Sequence, residues 1–128
     1  MTRGLADTTV FIARESSRGL DTTALPDELA VSVVTVAELR AGVLAAQDLD
    51  TRDRRMVTWA TALALQPVAI DERVAESWAR LRVSLLESSQ RMPVNDSWIA
   101  ATAMALGIPV VTQDHDYADV AGLEVVRV

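Results

Sequence analysis

The sequence contains no cysteine and a single histidine, His115, among its 128 residues. These absences exclude a disulfide framework, a thiolate nucleophile, a zinc site with cysteine ligands and a site built on several histidines. Lysine is also missing, so arginine supplies all 12 basic residues against 18 acidic ones, and the net charge is −6. A charge of this sign does not favour non-specific binding to nucleic acid through phosphate contacts.

Segments that would target the chain to a membrane are absent as well. No N-terminal stretch has the charged-then-apolar plan of a secretory signal. The longest weakly polar stretch runs from Trp98 to Val111; it is too short for a membrane span and contains Gly107 and Pro109. We therefore expect a cytoplasmic protein with no membrane partner. Half of the residues are hydrophobic, and the length predicts a single domain over residues 1–128.

Short apolar segments alternate with amphipathic segments along the chain. Strands are predicted up to Asp7 and over 30–34, 67–70, 110–112 and 123–128. This alternation predicts an α/β protein, a three-layer sandwich with a central, mostly parallel sheet.

Helices are predicted between these strands. Thr35 and Glu38 fit the capping-box pattern at the start of a helix that runs to about Gln47. Pro26 marks a first helical turn over 26–29. The remaining helices are predicted over 54–65, over 72–88, and from a cap at Asn95 or Asp96 to a stop at Gly107.

Four acidic residues stand where a predicted strand ends or a predicted helix begins: Asp7, Glu38, Asp96 and Asp114. In an open parallel sheet such positions lie near one rim, outside the carboxyl ends of the strands, where ligands bind. Two carboxylates about 4 Å apart repel each other by roughly 4 kcal/mol at an effective dielectric of about 20. A fold tolerates such a cluster when a cation neutralises it, so the spacing predicts a divalent metal site. Oxygen ligands without cysteine or several histidines suit Mg²⁺ or Mn²⁺.

These acids lie in four motifs that cover nearly the whole chain in order. The motifs are ADTTVFI at 6–12, SVVTVAELRAG at 32–42, NDSWIAATA at 95–103 and VVTQDHDY at 110–117. Their order and spacing resemble the PIN-domain family, and within it the VapC-type toxins of bacterial toxin–antitoxin pairs. Thr9 and Tyr117 are mild departures, since the family usually has Ser or Asn at the first place and Phe at the second.

The resemblance implies a Mg²⁺- or Mn²⁺-dependent endoribonuclease that inhibits translation and growth. It implies direct or water-mediated metal contact for Asp7, Asp96 and Asp114, with Glu38 holding a second metal or orienting the attacking water. Residues that would orient these carboxylates or stand just outside the metal are Thr8, Thr9, Asn95, Thr112 and Asp116.

The resemblance also implies partners: a homodimer, an RNA substrate of the transfer or ribosomal class, and a cognate VapB-type antitoxin that covers the acidic site. A cationic antitoxin segment, especially one with arginine, suits the net charge of −6.

Other interpretations of the same residues exist. Asp7 and Asp96 would also serve as plain helix caps, and Asp114 and Asp116 as turn acids. A non-catalytic PIN-like module that binds RNA or protein is the alternative function, although such a module would normally have lost one or more of the acids. A receiver domain lacks its lysine here, and a haloacid-dehalogenase phosphatase needs a second Asp where Thr9 stands.

Overall fold

A four-stranded parallel sheet forms the centre of the molecule in the computed structural model, which describes all 128 residues. The strands are β1 (Arg3–Ala6), β2 (Glu28–Val31), β3 (Val110–Thr112) and β4 (Val125–Arg127), in the order β2-β1-β3-β4. The chain leaves β1 towards β2 and later returns to the other side of β1 as β3. The crevice between the carboxyl ends of β1 and β3 is therefore the switch point at which α/β sheets bind ligands.

Five helices surround this sheet: α1 (Thr8–Glu15), α2 (Val33–Ala45), α3 (Leu49–Leu63), α4 (Glu72–Glu87) and α5 (Val94–Leu106). None of them combines the length and the apolar character needed to span a bilayer.

The core lies in two parts, one on each face of the sheet, because successive residues of a strand point to opposite faces. Leu5 and Val110 pack with buried residues of α4 and α5. Their neighbours Ala6 and Val111 pack with buried residues of α1, α2 and α3. The arrangement confirms the predicted three-layer α/β sandwich.

Side-chain caps explain where four of the five helices begin. The caps of α1 to α4 accept a hydrogen bond from a first-turn backbone N–H; they are Asp7, Ser32, Asp48 and Asp71. Helix α5 has no side-chain cap and ends at Gly107, whose φ of +68° is a conformation that glycine adopts without strain. The predicted helix stop at Gly107 is confirmed.

The start of α2 differs from the prediction. Val33 and Val34 begin this helix instead of ending a strand, because the Ser32 hydroxyl accepts a hydrogen bond from Val34 N at 3.0 Å. The predicted capping box of Thr35 and Glu38 is therefore wrong, and Glu38 lies in the second turn of α2.

Three other local predictions are also wrong. The first helical turn predicted over 26–29 is instead the beginning of β2, whose residues Glu28–Val31 pair with β1. The segment 67–70 forms only one bridge, between Val68 and Ser32. Helix α3 begins at Leu49, earlier than predicted, because Asp48 caps it and its polar first turns face solvent.

Candidate active site

Asp7 lies directly after β1 at the switch point, and only 1% of its surface is exposed. Its Oδ1 accepts hydrogen bonds from the backbone N–H of Thr9, at 3.0 Å, and from the Thr9 hydroxyl. Its Oδ2 accepts a hydrogen bond from the Thr112 hydroxyl at 2.6 Å. Three of the roughly four lone pairs of the carboxylate are thus used, and Oδ2 keeps one for a further partner. Asp7 therefore both caps α1 and is tied to the end of β3 through Thr112.

The two threonine hydroxyls also fix the loop that follows β3. Thr9 Oγ1 accepts a hydrogen bond from Gln113 N at 3.0 Å, and Thr112 Oγ1 accepts one from Asp114 N at 2.8 Å. Each hydroxyl therefore donates to Asp7 and accepts from this loop. The orientation of Asp7 and the path of the chain towards Asp114 belong to one hydrogen-bond network.

Glu38 reaches the same region through Thr8. The Thr8 hydroxyl donates to Glu38 Oε1 at 2.7 Å and lies 3.1 Å from the hydroxyl of the buried Thr35. The carboxylate is thus turned towards the first residue of α1 and not towards the start of its own helix. The other oxygen, Oε2, forms no hydrogen bond within the chain.

Three carboxylates converge beside this network. Oxygen atoms of Asp96, Asp114 and Asp116 lie within 4.8 Å of one another; the first two residues are half-buried and the third is exposed. Asp114 Oδ1 accepts the backbone N–H of His115 at 2.8 Å. Asp96 lies in the first turn of α5, so the prediction that Asn95 or Asp96 caps this helix is wrong. Asp116 is therefore part of this close group of carboxylates, and Asp7 and Glu38 are not.

The surroundings of these acids disfavour their charged forms. Burial raises the pKa of Asp7, although hydrogen bonds from Thr112 and Thr9 act in the opposite direction. The pKa of Asp96 is raised to about 7, first by burial and then by the charges of four neighbouring acids, Asp7, Asp114, Asp116 and Glu38. Asp7 and Glu38 are therefore close enough to Asp96 to act on it, as the sequence pattern predicts for one rim.

No arginine forms an ion pair with these acids, and the charge of His115 acts only on the exposed Asp116. The pKa of Asp116 is raised by a hydrogen bond shared with Asp114 and by the charge of that neighbour. The one ion pair in the molecule joins Arg80 to Glu76 on the exposed surface of α4. A cluster of acids without an internal counter-charge requires either protons or a bound cation.

Tyr117 is the residue that the sequence pattern did not single out as part of the site. Its side chain is 6% exposed, and its hydroxyl is buried. Burial, the charges of Asp7 and Asp96 and a hydrogen bond with Asp7 raise the pKa of Tyr117, which places the hydroxyl beside the acids. The signal in the sequence was the place of a tyrosine directly after Asp116, where it was interpreted only as a substitute for phenylalanine.

Two polar residues near the acids stay outside the network. Asn95 is exposed on the surface of α5. His115 is also exposed, and its backbone N–H donates to Asp114.

The model of the PIN-domain family matches residues 5–123 of the chain. The chain belongs to the PIN-domain family. This PIN domain is 47% identical to Ribonuclease VapC5 of Mycobacterium tuberculosis over 98% of the chain and 95% of the relative. It is also 47% identical to Ribonuclease VapC4 of the same organism, over 98% of the chain and 97% of the relative.

A solved structure is also similar to this PIN domain. The crystal structure of VapBC-5 from Mycobacterium tuberculosis, a member of the VapBC family of toxin–antitoxin systems, matches this PIN domain with a TM-score of 0.91. The two chains are 43% identical, and each is covered completely.

The donors of this PIN domain fit a divalent cation. Oxygens that share one Mg²⁺ at about 2.1 Å lie at most about 4.2 Å apart, so the 4.8 Å group of Asp96, Asp114 and Asp116 needs only small side-chain rotations to close. Asp7 contributes one free lone pair at the edge of the group.

Proposed function

We propose that this PIN domain, over residues 1–128, is a Mg²⁺- or Mn²⁺-dependent endoribonuclease toxin of a toxin–antitoxin pair. The observation that carries the proposal is the convergence of five acids on the switch point of a fold shared with relatives named ribonuclease VapC. All the acids of the sequence motifs are present, and none is neutralised by a basic residue.

Hydrolysis of an RNA phosphodiester requires water oxygen to bond to phosphorus while a phosphorus–oxygen bond breaks. When bound, the divalent cation supplies a nucleophilic water at neutral pH and stabilises charge on the phosphate. Asp96 and Asp114 would hold the cation, and Asp116 would contribute directly or through water. Asp7 would complete the set through the remaining lone pair of Oδ2. Thr9 and Thr112 fix the carboxylate plane of Asp7, so that its free lone pair faces the crevice.

Glu38 has the arrangement of a residue that orients water. Thr8 holds Oε1 at 2.7 Å, and Oε2 remains free to accept a hydrogen bond from the attacking water and then its proton. Solvent water protonates the leaving oxygen as the phosphorus–oxygen bond breaks, and Glu38 returns its proton to solvent, so that both products separate from the site.

A VapB-type antitoxin and a second copy of the chain are the proposed protein partners. Large apolar side chains on α2 and α3 are exposed, with Leu44, Leu49 and Val57 at 66%, 74% and 68%. Apolar surface of this kind supports a protein interface. The net charge of −6 supports a cationic antitoxin segment over the acidic site.

The alternative, a non-catalytic PIN-like module that binds RNA or protein, is less well supported. The cap of α1 accounts for a buried Asp7 in such a module, but the module has no use for the close group of Asp96, Asp114 and Asp116, whose burial and mutual repulsion raise the pKa of Asp96.

Cleavage of total RNA by the purified protein tests the proposal. We expect cleavage with Mn²⁺ or Mg²⁺ and none with a chelator. Asp96→Asn should lower the rate by more than the roughly 10- to 100-fold effect of losing a residue that only orients a ligand. Mapping the ends of the cut RNA then identifies transfer or ribosomal RNA as substrate.

Asp53→Asn is the matched control, because Asp53 is exposed on α3 and forms no ion pair. It should cleave as the wild type does. Full activity of purified Asp96→Asn, or equal activity with and without chelator, would contradict the proposed mechanism.

A further inference from the structure

A cavity of about 210 Å³ opens between α1, α2 and α3, next to the acidic site. Three of its lining residues, Thr8, Ile12 and Glu15, lie on one face of α1, because they follow each other at intervals of four and three residues. Pockets for drug-sized molecules measure about 300–1,000 Å³. The smaller cavity therefore has room for one planar group and not for a whole nucleotide.

One end of the cavity belongs to the acidic site and the other does not. Thr8 follows Asp7 in the chain and donates to Glu38 Oε1 at 2.7 Å, and both Thr8 and Glu38 line the cavity. Glu15 lies two turns further along α1, roughly 10 Å away at the helical rise of about 1.5 Å per residue. The base of a nucleotide whose phosphate lies at the acids can therefore reach the cavity.

Two opposite charges line the cavity without pairing with each other. Glu15 is half-buried, and its carboxylate forms neither a hydrogen bond nor an ion pair within the chain. Arg55 NH1 donates to the Gly42 carbonyl oxygen at 2.7 Å, which holds the guanidinium against α2 and leaves its other nitrogens as donors. A ligand that satisfies both groups must donate to the carboxylate and accept from the guanidinium.

Guanine meets both requirements. Its Watson–Crick edge presents two adjacent N–H groups to a carboxylate, and its O6 and N7 atoms accept from arginine. The other three RNA bases place an acceptor beside the donor on that edge, and this acceptor would face the lone pairs of the carboxylate. Ile12 and Leu39 supply apolar wall for the ring.

We propose that this cavity is a guanine subsite, in which Glu15 and Arg55 bind the base of a nucleotide beside the scissile phosphate. An arginine side chain of a protein partner would also pair with Glu15, but it would meet the like charge of Arg55 in the same cavity. The subsite deepens the proposed nuclease function and rests on it for the phosphate alone.

Binding of free nucleotides tests the cavity without cleavage. In NMR titrations of the isotope-labelled, metal-free protein, guanosine monophosphate (GMP) should shift the backbone amides of Ile12, Glu15 and Gly42. Its Kd should be about 10-fold lower than those of the adenosine, cytidine and uridine monophosphates, the discrimination that a good bidentate contact provides. Inosine monophosphate, which lacks the 2-amino donor, should bind more weakly than GMP.

Two outcomes of these titrations would overturn the proposal. Equal Kd values for the four nucleotides would show that the cavity does not select a base. Shifts of the same amides by arginine amide and not by GMP would show that the cavity binds a peptide.

Glu15→Gln tests the carboxylate and keeps the size of the side chain. It should raise the Kd of GMP by about 10-fold. Glu87→Gln is the matched control, because Glu87 is the last residue of α4 as Glu15 is of α1, and it is exposed and forms no ion pair. Equal Kd values of GMP for the two variants would contradict the assignment of Glu15.

Gly42→Leu tests the cavity by filling it. A Cβ atom at Gly42 meets only Arg55 Cδ, at 3.8 Å, so the backbone accepts a side chain there. Leucine also favours the helix more than glycine does. The variant should fold and lose the shifts that GMP induces, and an unchanged Kd of GMP would place the nucleotide elsewhere.

Cleavage of a pool of unstructured RNA separates this proposal from the proposed function. The wild type should cut where guanine stands at one fixed place beside the cut, and Glu15→Gln should lose that preference by about 10-fold. Cleavage without any preference for guanine would overturn the subsite and leave the nuclease function in place. Selective binding of GMP by a protein that cleaves no RNA would leave the subsite and overturn the nuclease function.

Discussion

The Thr112 hydroxyl donates to Asp7 Oδ2 at 2.6 Å and thereby joins the carboxyl ends of two neighbouring strands. Thr112 is completely buried, so neither group can exchange this hydrogen bond for one with solvent. We expect Thr112→Val to lower the free energy of unfolding by about 1–3 kcal/mol, because it leaves a buried carboxylate oxygen without its donor. Urea denaturation of the metal-free protein measures the loss.

Thr102→Val serves as its control, because Thr102 is equally buried but donates only to the Trp98 carbonyl within α5. It should change stability less and leave RNA cleavage intact. Equal effects of the two substitutions on cleavage would argue against a special role for Thr112.

Asp96 makes the stability of the metal-free protein depend on pH. Its pKa is raised from 3.8 to about 7 in the folded state. Between these values the folded chain retains a proton that the unfolded chain has lost, so stability falls as pH rises and the destabilisation is complete above about pH 7. The half-buried group is screened by solvent, so we expect on the order of 1–2 kcal/mol.

Asp96→Asn should therefore be more stable than the wild type at pH 8 with a chelator present and nearly equal to it at pH 4. Thermal denaturation over this pH range measures the difference. A variant that is less stable at pH 8 would indicate that Asp96 has a structural role.

A divalent cation should reverse this effect. Mn²⁺ or Mg²⁺ at about 100 times its Kd should stabilise the folded chain by about 2.7 kcal/mol. At one fixed ion concentration the gain should be larger at pH 8 than at pH 6, because Asp96 must lose its proton to bind the ion and the Kd is therefore lower at pH 8. Thermal shift titrations with each ion measure this stabilisation. If Asp53→Asn, the control variant, is no longer stabilised by the ion, the ion binds elsewhere.

We expect Thr8 to affect RNA cleavage only by orienting the Glu38 carboxylate. Thr8→Val removes the donor that holds Glu38 Oε1 at 2.7 Å, and we expect kcat to fall by about 10-fold or more. Thr8→Ser keeps the hydroxyl and should retain most of the activity. Steady-state cleavage of a defined RNA compares the two, and if both variants keep wild-type kcat, Glu38 does not need its orienting partner.

The sequence predicted the layers of the fold because they depend on patterns that the chain carries locally. Buried strands such as β3 and the stop at Gly107 follow from β-branched residues and glycine geometry. The start of α2 could not be predicted in the same way. Val33 and Val34 favour a strand by composition, but the hydroxyl of Ser32 captures the first free N–H and turns them into a helix.

The sequence predicted which acidic residues form the site, but it did not predict how their side chains are arranged in space. Its acids follow from the motifs, whereas the convergence of Asp116 with Asp96 and Asp114 depends on how the loop after β3 folds back. The position of the buried Tyr117 hydroxyl beside Asp7 depends on packing between distant segments and has no local signature.

The 105-residue separation of Asp7 and Thr112 has a consequence for synthesis. Asp7 leaves the ribosome early, but its second carboxylate oxygen gains a donor only when β3 emerges and pairs with β1. A stalled or truncated product that ends before β3 lacks Thr112, Asp114 and Asp116, and so it lacks two of the five acids of the site. Toxicity should therefore appear only with nearly complete chains, which gives a cell until the end of translation to provide the inhibitor.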